Sequence, residues 1–232
     1  MAAAPKIVLR YFDCQGRAEP LRRMLVDSGV EFVDEKVPIS EEWVKMREDP
    51  NFAGPLKTLP VLHWDSFVTP GTEAIALYLA HKFGYVADGS LETLTVSAAL
   101  CSVGHSDIIK PAFKFLYEGG STPEKSIEED FKTTFDFIRS RVVPFEQYLS
   151  KGPYLLGEKL SAADFFVSTA CDIAFQIFGE KIMDGCPKLK SFLQQMAERP
   201  RIKEYLNSDR KPTQFCASVR ETEILEKTRR LL

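Results

Sequence analysis

No stretch of the 232-residue chain approaches the roughly 18 consecutive apolar residues that a membrane-spanning helix requires. The opening segment, MAAAPKIVLRYF, contains small residues but no charged lead followed by a long apolar core, so it does not read as an export signal. A soluble, cytoplasmic protein without membrane insertion is expected. No block of basic residues is present either. The 30 Lys and Arg are interspersed among 33 Asp and Glu for a formal charge of −3, which offers nothing to neutralise a phosphate backbone and excludes nucleic acid as an expected partner. Cysteine is sparse: Cys14, Cys101, Cys171, Cys186 and Cys216 are odd in number and far apart, with no pair spaced as a metal or redox motif demands. They are expected to be reduced, buried thiols, with no metal bound. Internal repeats and low-complexity tracts are lacking as well.

What the chain does have is apolar residues, 44% of the total, enough for a buried core. The β-branched and aromatic run KIVLRYF reads as a strand with Ile7, Leu9 and Tyr11 on one face. RAEPLRRMLVDSG then places Ala18, Leu21, Met24 and Leu25 on one side of a helix that stops at Gly29. VEFVDEKV reads as a second strand, so these segments predict a βαβ unit with a parallel pair. TLPVLHW and FVT flank Asp65 and Ser66 as an antiparallel hairpin. A helix follows with Ile75, Leu79 and Phe83 at i+4 spacing, closed by Gly84.

From about Leu91 the strand signal fades. Amphipathic segments over 91–117, 123–149, 161–178 and 187–206 predict an all-helical second half. Ser126 with Glu129, Ser161 with Asp164, and Ser218 with Glu221 each have the spacing of a capping box. The expected architecture is an α+β domain over residues 1–84, a polar linker at 85–90, and an all-α domain over 91–232.

Four segments carry a family resemblance: YFDCQGRAEPLR (Tyr11 to Arg22), TLPVL (Thr58 to Leu62), TEAIALYLAHKFG (Thr72 to Gly84) and LSAADFFV (Leu160 to Val167). In that order, across nearly the whole chain, the sequence resembles the cytosolic glutathione transferases, in particular the tyrosine-using classes and most of all sigma. The resemblance implies a thioredoxin-like N-terminal domain, an all-helical C-terminal domain and a homodimer. It also implies glutathione as co-substrate, conjugated to hydrophobic electrophiles.

Such an enzyme has to form thiolate near neutral pH, whereas a free thiol has a pKa of about 8.5. A hydrogen-bond donor to the sulfur achieves this. Tyr11 ends the first strand before the turn into the helix and matches the family's activating tyrosine; Arg17, on the first helical turn, matches the arginine that supports the thiolate. These are the candidate catalytic residues. Proline cannot donate to a ladder, so Pro60 marks a sheet position where pairing stops. In the family this proline is cis, and the backbone of the residue before it, Leu59 here, pairs with the cysteinyl part of glutathione as an added strand. Thr72 starts a helix whose free N–H groups favour a carboxylate, and the family places the γ-glutamyl carboxylate there. Thr58 and Gly71 complete this set. Trp43 resembles the tryptophan bounding the glycine end of glutathione in sigma-like sequences, with Lys45 or Arg47 facing the glycine carboxylate. The acceptor site is expected between the domains, walled by Phe12, Cys14, His105, Ile108, Pro111 and Ala112.

Four positions depart from the family pattern. Thr58 stands where Gln or Lys is usual, Gly71 where Gln is usual, and Leu77 replaces Arg. CSVGHSD, around His105, lacks the acidic pair through which a dimer partner reaches the glutamyl amine. These departures predict weaker glutathione binding rather than lost chemistry. They leave two alternatives: a glutathione-dependent isomerase of the prostaglandin-synthase kind, and a non-enzymatic ligand-binding or structural protein on the same scaffold. Beyond KPTQF the chain continues as CASVRETEILEKTRRLL, with Ile224, Leu225, Thr228, Leu231 and Leu232 on one face. This predicts an extra amphipathic helix, lying over the acceptor site or against the helical domain.

Overall fold

The apolar run at Ile7–Leu9 is buried on both faces because it lies in an interior strand of a sheet rather than at an edge. This strand is β1 (Ile7–Phe12) in a computed structural model that describes residues 6–38, 40–120 and 126–232. Helix α1 (Glu19–Ser28) ends at Gly29, whose φ of 76° is a left-handed cap, and leads to β2 (Val33–Val37). β2 runs parallel to β1, with Val8 opposite Val33 and Phe12 opposite Val37. Two short helices, α2 (Glu41–Met46) and α3 (Pro50–Ala53), precede an antiparallel hairpin of β3 (Val61–Trp64) and β4 (Phe67–Pro70). The strand order is β2-β1-β3-β4, and α4 (Thr72–Phe83) buries Ile75 and Leu79 completely. The βαβ–ββα order read from the sequence is the order observed.

The second half is helical. After α5 (Leu91–Ser102), residues Val103–Ile109 form a wide turn with i→i+5 bonding, in which the Lys110 N–H donates to the His105 carbonyl. α6 (Lys110–Glu118) then contains Pro111, which has no N–H and would clash with a regular preceding turn; the widened turn relieves that clash. α7 (Ile127–Val142) starts at the expected Ser126–Glu129 capping box. The segment expected as a helix over 123–149 breaks at Pro144, where α8 (Phe145–Tyr148) begins; its residues 123–125 lie outside the described residues. α9 (Ala162–Phe178) is buried along nearly its whole length, and the expected helix over 187–206 is divided by Pro200 into α10 (Pro187–Ala197) and α11 (Pro200–Leu206). An apolar stripe continues across a proline, but the helix does not.

The chain packs as two compact units. One holds the described residues up to Phe83 together with Pro200–Ala217; the other holds Gly84–Arg199 and Ser218–Leu232. The sequence reading places everything after residue 91 in one helical domain, whereas Pro200–Ala217 pack with the sheet-containing unit. The reason is local: the Tyr205 hydroxyl donates to Glu19 at 2.9 Å, and the carbonyls of Gln214 and Phe215 accept from the N–H groups of Gln15 and Gly16. The final helix, α12 (Glu221–Thr228), packs in the second unit against α6 and α7 with Ile224 fully buried. Ser218 and Glu221 do not form the expected capping box. The Ser218 hydroxyl donates instead to the Leu116 carbonyl at 3.1 Å and accepts from Arg220 N–H, while the Arg220 guanidinium donates to the Tyr117 and Gly119 carbonyls.

The start of α9 carries the strongest cap. The Ser161 N–H and hydroxyl both donate to one Asp164 oxygen, at 2.7 and 2.8 Å, and Leu155 N–H donates to the other. Burial pushes Asp164 up to about 6 against the pull of these donors. Ser161→Ala is expected to lower the stability of this unit by about 0.5–2 kcal/mol. Asp164→Ala should cost more, because two buried N–H groups then lose their acceptor. Denaturant midpoints of both variants check this; an unchanged midpoint for Asp164→Ala would contradict it.

Candidate active site

Tyr11 is the next-to-last residue of β1, and the β1–β3 ladder pairs Arg10 with Val61. This register brings Tyr11 to the strand end beside Pro60. Its ring is 7% exposed, and its hydroxyl oxygen accepts the backbone N–H of Arg17 at 3.1 Å. Burial raises the hydroxyl pKa to about 12, helped by Cys14, while the Arg17 N–H and the charges of Arg17 and Arg22 pull the other way. The hydroxyl therefore stays protonated at physiological pH. One lone pair is engaged by Arg17 N–H, and the O–H proton has no acceptor among the described residues. Arg17 itself is exposed, in the short 3₁₀ turn Gly16–Ala18.

The turn between Tyr11 and Arg17 is held from beneath by Arg22, which has no exposed side-chain surface. Its guanidinium donates to the carbonyls of Cys14 at 2.8 Å and Gln15 at 3.1 Å, and to both Asp34 oxygens at 3.1 and 2.9 Å. Burial alone would favour loss of its proton, but Asp34 and Glu19 outweigh this and raise its pKa. Glu19 in turn accepts from Arg23 and Tyr205. On the same turn Gly16 adopts φ 48°, and a Cβ there would lie 2.4 Å from the Tyr11 ring and 2.6 Å from its hydroxyl. Sequence reasoning missed Gly16, Arg22 and the strap Pro212–Phe215. The glycine before Arg17 was a visible turn signal, but the reason for it is the approach of Tyr11.

The remaining candidate residues of this unit follow from β3 and α4. The Leu59–Pro60 bond is cis, Leu59 is buried, and the Pro60 carbonyl accepts from Gly71 N–H at 3.0 Å. Gly71 has φ 94° with open space where a side chain would project, and its carbonyl accepts the first intrahelical bond of α4, from Ile75. Gly71 is thus the cap, and Thr72, buried, is the first helical residue. Thr58 is half-buried. Trp43, in α2, meets Phe12 edge-on at 5.6 Å and 82°. Lys45 is exposed, and Arg47 pairs with Glu48 at 3.6 Å. Arg10 anchors α3, donating to the Asn51 and Phe52 carbonyls and meeting His63 Nε2 at 2.7 Å. Burial and the Arg10 charge lower the pKa of His63.

Of the residues assigned to the acceptor wall, Phe12 and Pro111 are half-buried and the others present little surface. Cys14 is 1% exposed; in the other unit His105 is buried, and Ile108 and Ala112 have no exposed surface. They are core-facing positions of the wide turn and α6. Asp107 pairs with Arg141 at 3.8 Å. Leu77, one of the departures, is 54% exposed.

A four-stranded mixed sheet with its α1 crossover, followed by a helical unit, is the glutathione transferase fold. Residues 106–209 match the family profile described as "Glutathione S-transferase, C-terminal domain". The chain is 30% identical over 205 residues to Glutathione S-transferase P of Caenorhabditis elegans, covering 86% of this chain and 91% of that one. It is 26% identical over 224 residues to S-crystallin 2 of Enteroctopus dofleini, covering 91% and 100%. Among solved structures it is similar to the Pi-class glutathione S-transferase of Onchocerca volvulus, with 26% identity, a TM-score of 0.73 and coverage of 87% and 92%. The chain belongs to the glutathione S-transferase family.

Gly16→Ala is expected to drive the Tyr11 ring from its place and to lower glutathione-dependent turnover by about 10²-fold. Steady-state kinetics on the folded variant check this, and turnover equal to that of the parent protein would show that Gly16 does not fix Tyr11.

Proposed function

We propose that the protein is a glutathione transferase of the tyrosine-using, sigma-like type, in which the Tyr11 hydroxyl donates to the sulfur of glutathione. Glutathione is its co-substrate, as in the family. The observation that carries the mechanism is the state of Tyr11: its oxygen accepts from Arg17 N–H, and its proton is retained to about 12. A hydroxyl that keeps its proton is a donor, and a donor to sulfur favours thiolate over thiol. The thiol proton leaves to solvent, the sulfur lone pair forms the new bond to the electrophilic carbon, and the leaving group, halide in an aryl halide, departs with the electron pair of its broken bond to that carbon.

The rest of the tripeptide follows from features of the first unit. Leu59, beside the end of β3, offers backbone groups to the cysteinyl residue, as an added strand would use them. The N-terminus of α4 at Thr72 has free N–H groups and the positive end of the helix dipole for the γ-glutamyl carboxylate. Trp43, packed on Phe12, bounds the glycine end. Gly71 has no amide side chain to add, and each lost polar contact costs about 1–3 kcal/mol. Binding is then about ten- to hundredfold weaker than with the usual residues. The acceptor is a hydrophobic electrophile.

A homodimer and a cytoplasmic setting complete the reading. Exposed Phe67 and Leu77 support a partner-covered face, and no helix among the described residues is long and apolar enough to cross a membrane. An isomerase would use the same thiolate on a different substrate. The non-enzymatic reading draws on Gly71, Leu77 and the likeness to a protein named S-crystallin 2; the protonated Tyr11, its oxygen held by Arg17 N–H, favours the enzyme.

With an activated aryl halide as acceptor, Tyr11→Phe is expected to lower kcat/KM by about 10²-fold at pH 6.5, as loss of a charge-stabilising donor does elsewhere. An unchanged kcat/KM would overturn the role of Tyr11, and a parent protein without turnover on any electrophile would favour the non-enzymatic reading.

A further inference from the structure

The first unit has a concavity, about 710 Å³ in volume, lined by none of the residues assigned to the thiol chemistry. It lies at the opposite end of β1 from Tyr11: Lys6 and Ile7 line it, and the four residues from Ile7 to Tyr11 span roughly 13 Å of strand. Buried Ile7 and Val26 form its floor, and half-buried Phe32 stands on one side. Its volume is within the range of small-molecule sites.

Three cations face it. Arg201, on α11, is fixed in place: Nη1 donates to the Asp27 carbonyl at 3.0 Å, and the guanidinium lies so close to Gly29 that a Cβ there would meet its Cζ at 2.7 Å. Arg210 lies with its guanidinium over the Phe32 ring at 5.5 Å, and its backbone N–H donates to the Ser208 hydroxyl at 3.3 Å. Lys6 is the third, and Glu31 and Glu204 also line the groove, so three cations against two carboxylates leave one net positive charge. A planar guanidinium already held by one backbone bond presents its remaining N–H groups in a preset fork, the geometry that a carboxylate accepts. An aromatic face capped by a second guanidinium suits a flat apolar body. The two acids disfavour dianions.

We propose that this groove binds a small aromatic monocarboxylate, its ring on Phe32 and its carboxylate on Arg201 and Arg210. The site stands independently of the glutathione chemistry.

The test is titration of 2-naphthoate into the full-length protein, followed by amide chemical shifts. Saturable shifts are expected at Gly29 and Phe32 and none at Gly16 or Gly71. The neutral 2-naphthamide should bind at least about tenfold more weakly, and Arg210→Ala should weaken 2-naphthoate about tenfold, as loss of a charge-assisted bond does. Arg201→Gln is the second variant, with its melting temperature measured because Arg201 also ties down the end of α1. Absence of saturable shifts at millimolar probe, shifts confined to Gly16 and Gly71, equal binding of the amide, or unchanged binding in Arg210→Ala and folded Arg201→Gln would each overturn the proposal.

Discussion

A charged guanidinium with no exposed surface has to be met on every side, and Arg22 is met by Asp34 from β2, by Glu19 from its own helix, and by the carbonyls of the turn that follows β1. Breaking such a buried pair costs about 3–5 kcal/mol, because the remaining charge is left uncompensated. The turn after β1 consequently has few alternatives. Its carbonyls point inward to Arg22 and its N–H groups at Gln15 and Gly16 point to the strap that follows α11. Between these two constraints the N–H of Arg17 is delivered to the Tyr11 oxygen. The position of the hydroxyl thus depends on a buried ion pair beneath the turn.

The functional groups divide their labour accordingly. Tyr11 brings a proton it does not lose, because burial holds its pKa at about 12. The start of α4 brings backbone N–H groups, and Gly71 keeps the approach to them open. Arg10 holds α3, and with it the segment leading to Leu59 and Pro60. In the proposed reading the side chains that handle charge are few and the backbone supplies most of the polar recognition, so the departures at Thr58 and Gly71 are expected to weaken binding without removing the chemistry.

Much of this was legible in the sequence, for physical reasons that differ by element. Period-two runs with β-branched residues marked β1 and β3, and Gly29 and the Ser161–Asp164 spacing marked helix ends, because these signals are local. The breaks at Pro144 and Pro200 were passed over because an amphipathic stripe continues through them while the hydrogen bonding cannot. Ser218 and Glu221 had the right spacing for a cap, yet a carbonyl over a hundred residues away in sequence, that of Leu116, took the hydroxyl. Tyr11, Arg17, Pro60 and Thr72 were read as candidates from motif context. Arg22 was not, since an arginine on a helix reads as solvated unless its acid partners are known to be buried with it. The spacing of Glu19 to Arg22 and Arg23 was the available signal.

The central claim is that this fold holds glutathione sulfur as thiolate beside a neutral tyrosine. The direct measurement is a pH titration of thiolate ultraviolet absorbance for glutathione bound to the intact protein. Ionisation with a midpoint near neutrality, well below the pKa of about 8.5 of the free thiol, is the predicted result. A bound sulfur that titrates like the free thiol would contradict the claim.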